Sequence, residues 1–462
     1  MPFQNTTINS QKSPEKLKKI ELIPKNTTNQ SFLLNKFQSL FQKYKSPQNL
    51  SLLVIIFTIF LDLLGVGLVL PILPTLFDSS KGIFGTRFDI STANIFYGFL
   101  IASYPMSQLF GAPILGYLSD IYGRKKILLA SVIGTIFSLL IFALGIHTAS
   151  ITLLFVGRIC DGLTGGNLSI AQSVIADIST KQNKTHNFGL ISVAFAMGFI
   201  IGPILGGVLS NPNLLNWFDY TTPYYFAAIL SFLNCIFIHF FLLETAVIRE
   251  VANTAKLHIW SSFRQLHRAF AHPKLRSIFI INFLFILAFS LFTNFFPQYL
   301  QKRFQFDAAR IANLIAYVMF WVVLSQAVLM RFLLKRLNPQ QILSLGLFGT
   351  GFFLIMLILP TNSVWFLVIL PLVAIAQGIT IPNITTILSN AVSDNEQGEI
   401  MGINQSVQAF GTIAPVFAGF GVNLWIKFPL LIAAISALLA WLIFHYTDKK
   451  YFKNIKEPEK IT

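Results

Sequence analysis

Three charged residues lie inside long apolar stretches of the sequence, where a charge is costly. Asp62 lies in the stretch 51–76, and Arg158 and Asp161 lie three residues apart in the stretch 150–176. A lone charge at the centre of a bilayer costs about 2.5 kcal/mol or more, so these groups must be paired or hydrated. In a structural interpretation, Arg158 and Asp161 satisfy each other along one helix face. In a functional interpretation, Asp62 and Asp161 share the Arg158 guanidinium and form a proton-coupling site.

The composition indicates that these residues are carried by membrane-spanning helices. Of the 462 residues, 54% are hydrophobic and 11% are charged, against roughly 25% charged in soluble domains. About 20 consecutive apolar residues cross a bilayer as a helix. The apolar stretches predict twelve spans, near residues 51–76, 93–118, 127–147, 150–176, 188–210, 222–243, 277–300, 309–333, 340–360, 363–389, 400–424 and 428–446. We therefore expect an all-α integral membrane protein.

The basic residues indicate the orientation of the spans. If both termini are cytoplasmic, 27 of the 34 Lys and Arg residues lie in inside segments and six lie in outside segments. Because positive charge is retained on the inside, both termini are predicted to be cytoplasmic. The predicted organisation is a disordered basic N-terminal tail at 1–50, a six-helix bundle at 51–243, a cytoplasmic central loop at 244–276, a second six-helix bundle at 277–446 and a cytoplasmic C-terminal tail at 447–462.

An internal repeat relates the two predicted bundles. Spans 4 and 10 share two positions at an offset of 216 residues, and spans 5 and 11 share three positions at an offset of 213 residues. The pairs are Gly162 and Gly378, Asn167 and Asn383, Gly189 and Gly402, Gly198 and Gly411, and Gly206 and Gly419. Two pseudo-symmetric halves around a central site are typical of transporters.

Four motifs in the first half resemble those of the major facilitator superfamily. Residues 116–126 read GYLSDIYGRKK, which matches the family's G-x-L-x-D-x-x-G-R-[RK] loop between spans 2 and 3. Span 4 is similar to the family's Arg- and Gly-rich motif, and residues 198–207 resemble the G-x-x-x-G-P-x-x-G-G motif of drug/proton antiporters. Span 1 resembles the entry helix of the tetracycline-exporter branch through Asp62, Gly65, Gly67, Pro71 and Pro74.

The resemblance implies roles for two of these motifs. One is a cytoplasmic gate, in which an acid at the end of span 2 faces the N-terminal dipole of span 11 near Glu399 and glycines permit a tight turn and a close helix approach. The gate residues are Gly116, Asp120, Gly123, Arg124 and Asp177. The other is a stripe of small residues in span 5, on which another helix packs closely. The stripe residues are Gly198, Gly202, Pro203, Gly206 and Gly207.

Uncharged polar residues within spans 2, 4, 7, 10 and 11 are candidates for cargo contact, because an amide suits a lipid-facing position poorly. Each could instead hold two helices together, so they form a pool rather than a defined site. The pool is Tyr104, Gln108, Asn167, Gln172, Asn282, Asn294, Gln298, Gln377, Asn383, Asn404, Gln405 and Gln408. With 47 Phe residues in the chain, we expect an amphipathic cavity that suits aromatic or amphipathic organic molecules.

These features predict a proton-coupled secondary transporter that exports small amphipathic organic compounds by alternating access, in the manner of multidrug and tetracycline efflux. Spans 7 to 12 contain no acid, so proton coupling is expected in the first half. The alternatives are a metabolite or siderophore carrier, working as an exporter or an importer, and a non-transporting membrane receptor.

Other classes of protein are disfavoured. The sequence has no phosphate-binding loop and no nucleophile–base motif, so neither an enzyme nor a nucleotide-driven pump is expected. Its two cysteines lie in apolar stretches, which argues against a metal site or a disulfide framework. Its positive charge lies in short runs rather than on a nucleic-acid-binding domain. We expect a monomer in a bacterial inner membrane, with the bilayer and a small organic molecule as partners and the proton in place of a cofactor.

Overall fold

The structure is a computed structural model in which the described residues are 47–78, 82–84, 87–179, 184–245, 267–271, 275–391, 397–413 and 415–447. The predicted N-terminal and C-terminal tails lie outside the described residues, apart from residues 47–50 and 447. Most of the predicted central loop at 244–276 lies outside them as well. The two predicted helical bundles lie almost wholly inside.

Helices account for all the regular secondary structure of the described residues, and they fall at the twelve predicted spans. Spans 1 to 6 are Pro47–Val69 continued by Leu73–Leu76, Ile90–Tyr122, Arg124–His147, Ile151–Thr164 with Asn167–Ile178, Lys184–Leu209, and Thr222–Phe241. Span 7 is Arg276–Phe304, and span 8 is Ala308–Leu324 continued through a π-helical turn at Ser325–Leu329 to Met330–Leu333. Span 9 is Pro339–Ile358, and span 10 is the short 3-10 helix Ser363–Trp365 followed by Phe366–Asn390. Span 11 consists of Gln397–Gly411 and Pro415–Leu424, and span 12 is Phe428–Thr447. The prediction of an all-α membrane protein with two six-helix halves is confirmed.

Spans 2, 4 and 5 lack a single described helical stretch as long and as apolar as those of the other spans. Within the described residues, nine helical stretches are long and apolar enough to cross a bilayer by length and composition alone, and they are the other nine spans. Span 4 is divided into two helices at Gly165 and Gly166, and span 5 contributes the shorter apolar stretch Val193–Leu209.

Acidic side chains fix where two spans begin. Asp89 precedes span 2, and its carboxylate accepts hydrogen bonds from the backbone N–H groups of Ser91 and Thr92 at 3.1 and 3.2 Å. Asp307 caps span 8 by accepting from the backbone N–H of Arg310 at 2.8 Å. These bonds satisfy amide groups that a helix end leaves unbonded. The hydrogen bonds from Thr92 and Ser91 also hold the pKa of the Asp89 carboxyl below its ordinary value.

The internal repeat has a structural counterpart. In the first half, Gly162 of span 4 lies against the backbone oxygen of Tyr104 and the Cβ of Ser107, both in span 2. In the second half, Gly378 of span 10 lies against the Oγ of Ser325 in span 8. At equivalent positions in the two halves, a glycine therefore leaves room for a serine of the facing span. Duplication of a six-helix unit predicts this repeated packing.

The two halves are joined at one end of the molecule. We name this the Lys302 end, and the opposite end, which carries the turn between spans 2 and 3, the Gly123 end. Toward the Lys302 end, one large buried apolar cluster contains residues of both halves. Toward the Gly123 end, two separate clusters are each built from one half. The halves pack through span 2 on span 11 and span 5 on span 8, and among the described residues they share no apolar cluster at the Gly123 end.

The packing of span 5 on span 1 gives a first prediction. A Cβ added at Gly202 would lie 2.7 Å from the carbonyl oxygen of Leu64 and 2.9 Å from the Cα of Gly67. Gly202→Ala therefore overpacks the contact, which costs about 1–3 kcal/mol, and we expect a lower thermal denaturation midpoint for the purified protein. Gly65→Ala is the matched control, because no described atom lies within 4 Å of its added Cβ. Equal midpoints for the two variants would contradict this prediction.

Candidate functional site

Asp62 is tied to span 4 by a hydrogen bond. Its Oδ1 accepts from the Nδ2 of Asn167 at 2.8 Å. Asn167 is the first residue of the second helix of span 4, and the Oγ of Ser131 in span 3 lies within hydrogen-bonding distance of its Oδ1. Asp62 is half-buried, whereas Asn167 and Ser131 are buried. A partly exposed acid is thus held by a buried amide that spans 3 and 4 position together.

The break in span 4 leaves backbone groups that another helix satisfies. The first helix of span 4 ends at Thr164 and the second begins at Asn167. Gln108 of span 2 donates from its Nε2 to the carbonyl oxygen of Gly165 at 2.7 Å, and the hydroxyl of Tyr104 lies 3.2 Å from the same nitrogen. Irregular backbone at membrane depth is tolerated where it lines a cavity or is buried in protein, and in transporters it often marks the binding site.

The predicted ion pairs of Arg158 are absent from this conformation. Asp161 accepts a hydrogen bond from the Oγ of Ser138 in span 3 at 3.1 Å. The Arg158 guanidinium lies over the ring of Tyr104 in span 2, with its Cζ 5.2 Å from the ring centroid, and its Nε is buried without a hydrogen-bond partner. Ion pairs within 4 Å among the described residues involve Arg124 alone. The expectation fails because the two charged side chains of span 4 find partners on different neighbouring helices.

Tyr104 joins the parts of this site. Its ring carries Arg158, and its hydroxyl lies beside Gln108 at the break of span 4. Arg158, Asp161, Tyr104 and Gln108 are all half-buried, so each keeps some surface for water or a ligand. The arrangement can take up protons on two carboxyl groups and offer hydrogen-bond donors to an organic molecule. In the part of the chain that the structure describes, no group of His, Cys, Asp and Glu side chains could hold a metal ion.

The predicted gate residues form one network within the first half. The Nη1 of Arg124 lies 2.5 Å from Asp120 Oδ1, and its Nε lies 3.5 Å from Asp177 Oδ2. The same Nη1 donates to the Oγ of Ser119 at 2.6 Å. Gly123 makes the turn between spans 2 and 3 with a φ of 103°, a left-handed conformation that favours glycine. In this conformation the network ties together the ends of spans 2, 3 and 4.

Two expectations about the gate concern its approach to span 11. Span 11 begins at Gln397, close to the predicted start near Glu399. Gly116 faces open space, since no described atom lies within 4 Å of an added Cβ. The predicted close approach at Gly116 is therefore absent from this conformation, because the halves share no packed core at the Gly123 end. The side chain of Asp120 is 60% exposed, which leaves most of its surface available to another helix.

Glu244 is a member of the gate network that the motifs did not predict. It lies just after span 6, and its carboxylate accepts from the backbone N–H groups of Arg124 at 2.8 Å and Lys125 at 3.3 Å. The Oγ1 of Thr245 donates to Asp177 at 3.3 Å. Glu244 therefore caps the N-terminus of span 3, where negative charge is favoured. The sequence does offer a signal for this role, because Glu244 directly follows span 6 and is predicted to lie on the same side of the membrane as Arg124.

Several amides of the cargo pool bond other groups of the protein, either across two helices or within their own helix. Asn282 donates from its Nδ2 to Asn404 Oδ1 at 2.6 Å, which links spans 7 and 11. Three others are engaged as donors, namely Asn294 with the Ser290 carbonyl, Asn383 with the Ile379 carbonyl and Gln298 with Asn94. Gln377 is buried, and neither atom of its amide has a partner. In this conformation the buried amides are enclosed between helices, and their contact with cargo stays a prediction.

The pool members that keep exposed surface lie mainly around the break in span 4 and the start of span 11. They are Tyr104, Gln108, Gln172, Gln405 and Gln408. Asn294 in span 7 is half-buried and also keeps some exposed surface. Gln405 donates to Gln172 at 3.4 Å, which is a polar contact between the halves. These residues are the ones that a bound molecule could reach without separating packed helices.

Span 1 is the helix that packs on the small-residue stripe of span 5. The contacts pair Gly198 with Leu63, Gly202 with Gly67, Pro203 with Gly67 and Gly206 with Leu68. Gly207 lies against Ala308 and Ala312 of span 8, across the boundary between the halves. Span 5 therefore holds the helix that carries Asp62 and also contacts the second half.

Residues 55–415 match the sequence profile of the Major Facilitator Superfamily. Since this match covers most of the chain, the protein belongs to that family. It is a multi-pass membrane transporter of small molecules and not an enzyme.

Similar proteins include tetracycline and multidrug resistance proteins. The chain is 31% identical over 379 residues to the class H tetracycline resistance protein of Pasteurella multocida, which covers 80% of this chain and 89% of that protein. It is 26% identical over 394 residues to Multidrug resistance protein 2 of Bacillus subtilis (strain 168), with 85% and 94% covered. The crystal structure of a bacterial homologue of the human lysosomal transporter Spinster, in an inward-facing and unoccupied conformation, has a TM-score of 0.70 at 14% identity and covers 90% of this chain and 99% of that one. At that identity the likeness shows the fold alone.

The Glu244 cap gives a second prediction. Glu244→Ala removes the acceptor of two backbone N–H groups at the start of span 3, and loss of a helix cap costs about 0.5–2 kcal/mol. We expect a lower denaturation midpoint for the purified variant. Glu244→Gln keeps an acceptor oxygen but not the charge, so it should recover part of the loss. If both variants unfold at the midpoint of the parent protein, the contact does not stabilise span 3.

Proposed function

We propose that this protein is a proton-coupled exporter of small amphipathic organic compounds that works by alternating access. The observation that supports the proposal most directly is the hydrogen bond between Asp62 and Asn167, because it connects a partly exposed acid to the break in span 4. The relatives that confer resistance to tetracycline or to several drugs, by their names, favour an amphipathic organic cargo.

Protonation of Asp62 would change the contact that positions span 4. An ionised carboxylate only accepts hydrogen bonds, and it accepts one here from Asn167, whereas a protonated carboxyl also donates. Asn167 begins the second helix of span 4, so a rearrangement at its side chain acts on that helix. Asp161 supplies a second protonatable group, held by Ser138 of span 3. Two sites on neighbouring helices can thus transmit a change of protonation to the packing of the first half.

The cargo is proposed to bind beside Tyr104, Gln108 and Arg158. Tyr104 offers aromatic surface and Arg158 offers hydrogen-bond donors, which together suit an amphipathic molecule. Arg158 makes no ion pair among the described residues, so it adds a fixed positive charge near two acids that titrate. The net charge of this region therefore changes with protonation, and cargo and protons would occupy it in turn.

The gate network is proposed to face the cytoplasm. The distribution of basic residues favours a cytoplasmic location for the Gly123 end and for both termini. With the halves packed at the Lys302 end, the described conformation would be open to the cytoplasm and able to load cargo. In the opposite conformation, Asp120 and Gly116 would approach span 11 and close the Gly123 end. We place the protein in a bacterial inner membrane, working as a monomer with the proton as coupling ion.

A transport assay tests the coupling residues. In proteoliposomes with an imposed pH gradient, the parent protein should drive fluxes of tetracycline or ethidium that depend on the gradient. Asp62→Asn should abolish the gradient-driven flux while leaving the protein folded and inserted, because an amide keeps the volume of the side chain but does not titrate. Asp307→Asn is the matched control, since asparagine also caps a helix and Asp307 lies outside the spans.

Two results would count against this proposal. Full gradient-dependent flux in both Asp62→Asn and Asp161→Asn would remove the proposed coupling site. A parent protein that moved neither probe but carried a metabolite or a siderophore would favour the carrier alternative.

Cysteine labelling tests the gate. In the closed conformation Asp120 would face the N-terminus of span 11, where a carboxylate is worth about 0.3–1 kcal/mol. Asp120→Asn should therefore shift the equilibrium by about 2- to 5-fold toward the conformation open at the Gly123 end. We expect faster labelling of a Gln405→Cys reporter in span 11 and slower labelling of a reporter at the Lys302 end. Lys126→Gln, which changes an exposed charge of the same loop, is the control. If Asp120→Asn lost activity with both labelling rates unchanged, the residue would serve folding rather than gating.

A further inference from the structure

Asn94 is the centre of a polar contact between the two halves at the Lys302 end. It lies near the start of span 2 and is 2% exposed. Its Oδ1 accepts from the Nε2 of Gln298 at 3.0 Å and from the Nζ of Lys302, both in span 7. Its Nδ2 donates to the Oδ1 of Asn423 in span 11 at 2.6 Å. One side chain of the first half is thus bonded to two helices of the second half.

Further contacts extend this cluster along the same boundary. The Nδ2 of Asn423 donates to the Oγ of Ser91 at 2.8 Å and to its carbonyl oxygen at 3.1 Å. One turn deeper, the hydroxyl of Tyr97 donates to the carbonyl oxygen of Asn294 at 2.6 Å. The polar clasp is our name for the set formed by Ser91, Asn94, Gln298, Lys302 and Asn423.

We propose that the polar clasp is the gate of the Lys302 end, which holds the two halves together there and opens when the Gly123 end closes. The proposal rests on the proposed function, because it requires an alternating-access cycle. It gives Gln298 a gating role in place of the cargo contact that its position in span 7 predicts, and it assigns roles to Asn94, Lys302 and Asn423, for which the sequence motifs predict none.

The position of the clasp makes it decisive for opening this end. Asn94 is buried at the place where span 2 meets span 11, and Gly419 of span 11 lies against its backbone oxygen. Its three side-chain bonds all cross the boundary between the halves. The halves therefore cannot part at the Lys302 end without breaking every hydrogen bond of the Asn94 side chain.

The chemistry of the clasp suits a contact that must break and re-form. Its members are amides, a hydroxyl and one ammonium group. Hydrogen bonds between such groups contribute modest net stability, because each group bonds to water instead when the contact opens. A cavity of about 580 Å³ beside the clasp is lined by Asn94, Lys302 and Asn423, among others, so water can reach these groups. The Oε1 of Gln298 is buried without a partner, which lowers the cost of separating the cluster.

Opposite charges on the two halves add to the clasp. Asp78 follows span 1 in the first half, and it lines a second cavity of about 210 Å³ together with Lys302 of the second half. The two groups interact electrostatically. The two halves therefore present opposite charges to each other at this boundary, in addition to the hydrogen bonds between their amides.

Labelling of a buried reporter tests the clasp. Cys160→Ser and Cys235→Ser remove the two native thiols, and Ala418→Cys places a reporter in span 11, where Ala418 is 5% exposed within the apolar cluster that joins the halves. The purified protein is reconstituted in lipid nanodiscs, in which a soluble maleimide reaches both ends. Asn94→Ala removes three bonds across the boundary, so we expect the reporter to be labelled about 10-fold faster or more.

The controls separate the clasp from general loosening. Gln305→Ala removes an exposed amide at the same end that bonds within its own span, to the carbonyl oxygen of Lys302 at 3.3 Å, so labelling should keep the parent rate. Asn423→Ala also removes three bonds across the boundary, one with Asn94 and two with Ser91. Because Asn423 is exposed and Asn94 is buried, the increase should be smaller than for Asn94→Ala. Asn423→Ala also carries the test if Asn94→Ala does not fold.

Labelling of the clasp variants at the rate of Gln305→Ala would overturn the proposal. The experiment needs neither a substrate nor a pH gradient, so its outcome is separate from that of the transport assay. Loss of gradient-driven flux in Asp62→Asn with unchanged labelling in the clasp variants would keep the proposed function and remove the gate. Faster labelling without any measurable transport would keep the gate as a conformational contact and remove the proposed coupling.

Discussion

A membrane protein must satisfy its backbone hydrogen bonds internally, and the break in span 4 is where this constraint shapes the molecule most. The carbonyl oxygen of Gly165 is bonded by Gln108 of span 2. Asn167 begins a new helix after the break, and its side chain reaches Asp62 of span 1. Tyr104, one turn before Gln108, supports the guanidinium of Arg158. A polar region exists here at membrane depth because side chains of spans 1 and 2 form hydrogen bonds with groups at the break in span 4.

The two halves share a framework but differ in their chemistry. Gly162 and Gly378 each admit a serine from the facing span, so the helix packing is repeated. Asn383, the counterpart of Asn167, donates to the carbonyl oxygen of Ile379 in its own helix, and span 10 is not broken at this place. The acid within spans 7 to 12 is Glu399, in the first turn of span 11, so the middle of these spans offers Asn383 no carboxylate. The proposed proton coupling is therefore assigned to the first half. The second half can respond to it through the packing of span 2 on span 11 and of span 5 on span 8.

The sequence predicts the fold more completely than the site, for physical reasons. The thickness of the bilayer sets the length of an apolar stretch, so all twelve spans could be recognised. The pairing of a side chain depends on what a third helix offers, and Ser138 and Tyr104 draw Asp161 and Arg158 to different neighbours. Amides that bond a neighbouring helix look the same in the sequence as amides that line a cavity. Glu244 acts on the start of span 3 across 120 residues, a separation that no local motif reveals.

Span 2 meets span 11 differently at its two ends, and this difference connects the two proposed gates. At the Lys302 end, the backbones of Asn94 and Gly98 lie against Gly419. At the Gly123 end, Gly116 faces open space and Asp120 is bonded within its own half. Span 2 is one unbroken helix, and packed halves move as units rather than by continuous deformation. In the proposed alternating-access cycle, close contact at one end excludes close contact at the other, so a ligand or proton that favours one contact would weaken the opposite one.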